Sequence, residues 1–193
     1  PHPEGFSCLD AHMIGLLIGD GNYTRGEVQF TKPEPEVTAA LEQHVERHDA
    51  HLTPGHREGE FRIVGNAHKH NRILNLLREL DVHGQKSPDK RAPDRIVVSS
   101  SGAVEAFLAG LLDTDGTVSN KFASWSSASR GLLEDVQHLL MRFGVRGRLK
   151  EVTTNLGTQA YQLYVYAMEL GLSDEQRYEL ARMLPGVDPD HGG

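Results

Sequence analysis

A pattern of nine residues occurs twice in this chain. Residues 13–21 read Met-Ile-Gly-Leu-Leu-Ile-Gly-Asp-Gly, and residues 108–116 read Leu-Ala-Gly-Leu-Leu-Asp-Thr-Asp-Gly. Each is a helix-length apolar run with glycine in third place and an Asp-Gly step closing it. The two aspartates, Asp20 and Asp115, stand 95 residues apart in a chain of 193. A duplication on this scale constrains the fold before propensity does, because each copy has to build the same supersecondary unit.

The segments after the two copies support the repeat. The first is succeeded by a strand-like stretch, Glu27 to Lys32, and a helix over 35–48 with Val37, Ala40, Leu41, His44 and Val45 on one stripe. Two short strands are expected near 51–57 and 59–64, then a helix over 69–81 carrying Ile73, Leu76, Leu77 and Leu80. After the second copy come a Ser-rich strand (121–127), a helix (130–143), strands near 145–153 and 158–167, and a closing helix at 173–184. Gly84 to Pro93 is rich in Pro, Lys and Asp and reads as a surface linker. The expectation is an α+β chain of two pseudo-symmetric repeats, residues 1–83 and 98–193, joined by 84–97. No βαβ alternation points to a parallel sheet.

Composition narrows the class. Hydrophobic residues are 38% of the chain, enough for an ordinary core, and no run approaches the roughly 18 apolar residues of a membrane span. The start has no signal-peptide pattern, and with a single cysteine, Cys8, neither a disulfide scaffold nor a cysteine zinc site can be built. A cytoplasmic setting is expected. The net charge of −7 is unevenly placed: residues 121–150 carry six Lys/Arg against two Asp/Glu, while residues 1–60 carry four against eleven. Phosphate attraction acts within about 8–10 Å at cellular salt, so a local basic face suffices for a nucleic-acid partner.

Gly15 and Gly19 lie four apart, and Gly110 and Thr114 hold the matching places. Small residues at that spacing let two helices approach backbone to backbone. Such a pair brings Asp20 and Asp115 together at the helix ends. Adjacent carboxylates repel, and a divalent cation relieves them; oxygen ligands favour Mg²⁺, which also binds phosphate. One Asp-Gly step after a helix is an ordinary helix ending. Two at equivalent places argue for a site that hydrolyses phosphodiesters.

Leu108 to Gly116 resembles the sequence that names the LAGLIDADG homing endonucleases, matching seven of nine letters. Met13 to Gly21 resembles the divergent first copy found in intein-embedded members. Ser127 to Gly144 resembles the segment after the second copy, especially in inteins of replicative DNA helicases. The resemblance implies a monomer of two αββαββα repeats, with a central two-helix interface and saddle-shaped antiparallel sheets lying along the DNA major groove. It implies site-specific double-strand cleavage of a long asymmetric site, leaving a short 3′ overhang. Asp20 and Asp115 would hold Mg²⁺, with help from the carbonyls of Gly19 and Thr114; Mn²⁺ or Ca²⁺ can substitute for binding. Lys90, in Lys90-Arg91-Ala92-Pro93, matches a family lysine that stabilises charge or positions water, and Lys32 is a second candidate. The second half has Ser126 and Ser127 where a matching lysine would stand, which departs from symmetric catalysis.

Arg146, Arg148 and Lys150 alternate in one expected strand, and Gln162, Tyr164 and Tyr166 in the next, so each set projects from one sheet face toward DNA. Lys121 and, in the first half, Gln29, Thr31, Arg57, Glu60 and Arg62 are similar candidates. A splicing intein needs an N-terminal Cys or Ser and a terminal His-Asn; the expectation is therefore an endonuclease domain without its splicing domain. Thr53-Pro-Gly-His56 imitates a splicing element but falls inside the first repeat. His44 and His48, with His51 and His56 nearby, have zinc spacing without a specified third ligand. Two rival readings stand beside this one. A DNA-binding module that has lost cleavage would share the fold. A haloacid-dehalogenase-type phosphatase would use Asp113 as nucleophile and Asp115 as acid/base, but its nucleophile belongs on a first strand, not after a helix in mid-chain.

Overall fold

The computed structural model describes residues 6–66, 71–119, 121–154 and 157–166. In chain order the elements are α1 (Cys8–Asp20), β1 (Gly21–Asn22), β2 (Val28–Thr31), α2 (Pro35–Glu46), β3 (Ala50–Pro54), β4 (Glu60–Gly65) and α3 (Arg72–Glu79). A 3₁₀ turn (Ser87–Asp89) and α4 (Asp94–Val97) lead into α5 (Ser101–Asp115), β5 (Gly116–Val118), β6 (Phe122–Ser127), α6 (Arg130–Met141), β7 (Arg148–Thr153) and β8 (Gln159–Tyr166). The α+β class holds. The helix expected at 173–184 lies outside the described residues.

The two halves repeat in topology as well as in order. Each sheet has four antiparallel strands, ordered β1-β2-β4-β3 and β5-β6-β8-β7. Gly21 pairs with Phe30, and Gly116 with Trp125. That register makes Lys32 and Ser127 equivalent positions. The apolar faces hold Val28, Phe30 and Ile63 in one sheet and Trp125, Leu163 and Val165 in the other, all buried.

Local chemistry fixes the helix starts. The Ser7 hydroxyl accepts from the Asp10 amide, the Asn71 side chain from the amides of Ile73 and Leu74, and the Ser129 hydroxyl from the Leu132 amide. In α1, Ala11 and every residue from Met13 to Gly19 are buried, so this helix is enclosed rather than amphipathic. Each large aliphatic side chain buried there contributes about 1.5–3 kcal/mol.

Packing divides the chain after Asp115, because α5 lies along α1 and joins the first compact unit. The segment expected as a surface linker is only partly so. Within it Lys90 and Ala92 are buried, and directly after it α4 forms with Ile96 buried, as these residues are drawn into the core of the first unit. The strand expected from 145 begins at Arg148. The chain turns through Gly144 (φ 73°) and the Val145 amide still bonds the Leu140 carbonyl, so Arg146 lies in the irregular segment between this turn and β7, exposed as Arg148 and Lys150 are.

Candidate functional site

The helix pair sets the site. A Cβ on Gly15 would strike the Phe107 carbonyl oxygen, and one on Gly110 would strike that of His12. One turn further on, a Cβ on Gly19 would overlap the Thr114 side chain. The Thr114 hydroxyl folds back onto its own helix, donating to the carbonyls of Gly110 and Leu111, both at 3.1 Å. At Gly15 and Gly110 glycine is therefore required by proximity of backbones. The same holds for Gly21, whose φ is −81°, not left-handed, and whose Cβ would strike the Leu17 carbonyl oxygen.

Asp20 and Asp115 end these helices and interact. Burial, then the charge of Asp20, pushes Asp115 up to about 6, with Lys90 and Lys32 pulling the other way. Burial also raises Asp20, against the pull of Lys32 at 3.4 Å and of Lys90. Both acids are thus short of positive charge. Lys90, 7% exposed, donates to the carbonyls of Gly19 (2.6 Å) and Gly21 (3.1 Å) and lies over the Tyr23 ring. Burial lowers its pKa, opposed by the two aspartates. Lys32 donates to the Thr114 carbonyl at 2.6 Å. Each helix end is held by a lysine from elsewhere, which also satisfies the negative pole of the helix. A polar cavity of about 420 Å³ opens beside Asp20, lined also by Asn22, Thr24, Gln85, Lys86, Ser87 and Lys90.

The donor set suits a divalent cation in part. Two mutually repelling carboxylates with raised pKa values gain most from a compact positive charge. The carbonyls of Gly19 and Thr114 already accept from lysines and keep one lone pair each. Among the described residues no group of three or more His, Cys, Asp or Glu forms a metal cage. The aspartates would share a cation with phosphate oxygens rather than enclose it.

The histidines are engaged otherwise. His44 Nε2 and His12 Nδ1 share a hydrogen bond of 2.9 Å, and His12 Nε2 meets Asp113 Oδ2 at 2.9 Å. Burial, then the charges of His12 and Arg47, push His44 down to about 4. His48 Nε2 bonds Asp10 at 2.8 Å. His51 bonds Asn66, and His56 meets Arg62 at 3.0 Å. Asp113 lies inside α5 and is tied to His12, not placed on a strand as a phosphatase nucleophile requires. Sequence reasoning passed over the pairing of His12 with Asp113, which are far apart in the chain; only the helix pairing brings them together.

The sheet residues divide by face. In the first sheet Asn22, Gln29, Arg62 and Thr53 form one cross-strand row, with Thr31 opposite Glu60. Gln29 donates to Glu27 at 2.8 Å and Arg62 lies 4.0 Å from the same carboxylate, while Arg57 is exposed in the β3–β4 turn. In the second sheet Ser124, Tyr164 and Arg148 form the equivalent row, with Ser126, Gln162 and Lys150 beside it. Arg148 lies over Tyr166 at 5.5 Å and Lys150 over Tyr164 at 5.0 Å. The Tyr164 hydroxyl donates to Gln162, whose amide donates to Ser126 at 3.1 Å. Lys121 is exposed in the β5–β6 turn.

Residues 102–172 match the LAGLIDADG-like domain family. The chain is 27% identical over 167 residues to the replicative DNA helicase DnaB of Synechocystis sp., covering 74% of this chain and 18% of that protein. It is 26% identical over 212 residues to the DNA gyrase A-subunit of Mycobacterium gordonae (96% and 36%), and 25% over 186 residues to the replication factor C small subunit of Methanocaldococcus jannaschii (86% and 10%). It spans about a tenth to a third of these relatives. Among solved structures, the homing endonuclease I-DmoI in complex with DNA and Ca superposes with a TM-score of 0.60 at 16% identity, covering 95% of this chain and 94% of that one. The homing endonuclease I-WcaI bound to its DNA recognition sequence gives 0.55 at 12%, covering 96% and 86%. At these identities the likeness is one of fold.

Proposed function

Since the chain carries a LAGLIDADG-like domain on the homing-endonuclease fold, we propose that it cuts both strands of a long, asymmetric DNA site by Mg²⁺-dependent hydrolysis. The observation that carries this reading is the charge-deficient pair Asp20 and Asp115 at the ends of two helices packed through glycine. Solved relatives of this fold are complexes with DNA and with Ca or Mn, which supports a divalent cation and a DNA partner. Asp20 and Asp115 would hold the cation, which supplies charge neutralisation at the scissile phosphate when bound. Lys90 and Lys32 place two further positive charges at the helix ends, where charge develops on phosphate oxygens, and need no reorganisation to do so. The Arg148–Tyr166 and Lys150–Tyr164 pairs offer preordered cations to the DNA backbone, and Gln162, Gln29 and Arg62 offer hydrogen-bonding groups to base edges.

The curated relatives also support an intein origin. One segment of this size recurs inside a helicase, a gyrase and a replication factor, in each as a minority of the length. Shared ancestry of the hosts does not explain that; insertion of a mobile segment does. We place it in the cytoplasm, acting as a monomer in two repeats.

A second reading, a DNA-binding module without cleavage, is favoured by one observation: the carbonyls of Gly19 and Thr114 already carry lysine ammonium groups. Incubation of the protein with a supercoiled plasmid bearing the uninterrupted form of its host gene separates the two. Endonuclease activity gives linear DNA with Mg²⁺ and none with EDTA. Site-specific retardation in a gel without any cut in Mg²⁺ or Mn²⁺ would leave the binding module.

A further inference from the structure

We propose that His12 is a positioning residue that fixes the rotation of α5, and through it the carboxylate of Asp115. This rests on the endonuclease reading above and adds a residue to it. The C-terminal end of a helix is its negative pole, yet α5 ends with both Asp113 and Asp115 and has no basic residue in its last turn. Asp113 is therefore placed against the helix's own electrostatics and needs a partner from outside. His12 provides it from α1, at 2.9 Å, and is itself held through its other ring nitrogen by His44 of α2 at 2.9 Å. Three helices are joined by one imidazole.

The tie is placed where rotation would matter. His12 stands where the two helices meet backbone to backbone, its carbonyl oxygen against Gly110. Residues 113 and 115 lie roughly 200° apart around the helix. Holding Asp113 against α1 therefore fixes the direction in which the Asp115 carboxylate leaves α5. Lys32 pins the intervening Thr114 carbonyl at 2.6 Å. The effect is asymmetric: Asp113 is two residues from Asp115, whereas His12 is eight residues from Asp20 on its own helix.

Two isosteres separate the bonds. His12→Gln places an amide N–H near the position of imidazole Nε2 and keeps the reach to Asp113. His12→Asn places one near Nδ1 and keeps only the reach to His44. The rate of each strand's cleavage is measured on a doubly end-labelled duplex in Mg²⁺. His12→Asn should change the ratio of the two strand rates by about tenfold, with nicked DNA accumulating and KM for DNA unchanged; His12→Gln should restore the ratio to within about twofold. Equal slowing of both strands, or equal behaviour of the two variants, overturns the proposal. Hydrogen exchange at the last-turn amides of α5 reads the same tie without catalysis. It should be faster in His12→Asn and unchanged in His12→Gln, and equal exchange overturns the proposal. Absence of cleavage by the wild type would sink the endonuclease reading and leave this second measurement to decide on His12.

Discussion

The two motif helices close on the same Asp-Gly step, yet different parts of the chain hold their ends. The end of α1 is held by Lys90, a buried side chain from the segment between the repeats. The end of α5 is held by Lys32, which comes directly after β2 of the first repeat. Strict symmetry would place a second lysine at the equivalent of Lys32, and strand register puts Ser127 there. Asp20 in turn has an ion pair with Lys32 at 3.4 Å, and among the described residues Asp115 has none. Duplication reproduced the backbone of the site. The charges were supplied separately for each end, and the two aspartates differ in consequence.

Forcing the two helices apart should have the largest effect on both ends. Gly15→Val and Gly110→Val both insert side chains into opposing backbone, which cannot move as a flexible side chain would. Each should destabilise the protein by about 3 kcal/mol or more, measured by urea unfolding. A loss below about 1 kcal/mol would mean that the helices do not cross there.

Lys90 and Lys32 then sharpen the difference between the ends. Lys90→Met leaves the carbonyls of Gly19 and Gly21 without this donor inside the protein, and should cost about 2 kcal/mol of stability. Lys32→Met removes one carbonyl partner at a more open position and should cost less than half as much. Both should slow cleavage. Equal stability losses would show that the burial of Lys90 has no energetic consequence.

The smallest effect concerns pH. Asp115 has a folded pKa of about 6 against 3.8 for the free side chain, mainly through burial and then through Asp20. The folded state therefore binds the proton more tightly, and metal-free protein loses stability as pH rises from about 4 through about 6. Asp115→Asn removes that penalty and should stabilise the metal-free protein by about 3 kcal/mol at about pH 7.5, with a smaller gain at about pH 5. A thermal unfolding series across pH checks it; a variant destabilised at the higher pH would contradict the charge assignment.

Much of the architecture was legible in the sequence because period-3.6 and period-2 patterns mark buried faces directly. Val37, Leu41, His44 and Val45 of the α2 stripe are buried, with Ala40 half-buried, and so are the alternating Leu163 and Val165. Strand order was less accessible, since β2 pairs with β4 rather than with its neighbour β3, and no local signal encodes that. The start of β7 at Arg148 was not legible, because the alternation of exposure runs on through Arg146 ahead of the strand. The burial of Lys90 was hidden by the polar composition around it. The tie from His12 to Asp113 spans 101 positions, and neither residue has a distinctive neighbourhood. Lys32 stands on the end of the other helix for the same reason, a long-range contact that only packing reveals.

In the proposed site Asp20 and Asp115 are both needed for hydrolysis and not for DNA recognition. The direct test is cleavage of an end-labelled target duplex by wild type, Asp20→Asn and Asp115→Asn in Mg²⁺, with binding measured in parallel in Ca²⁺. Each substitution should slow cutting by about a thousandfold or more, while affinity stays within about threefold. Cutting at the wild-type rate by either variant would contradict the claim.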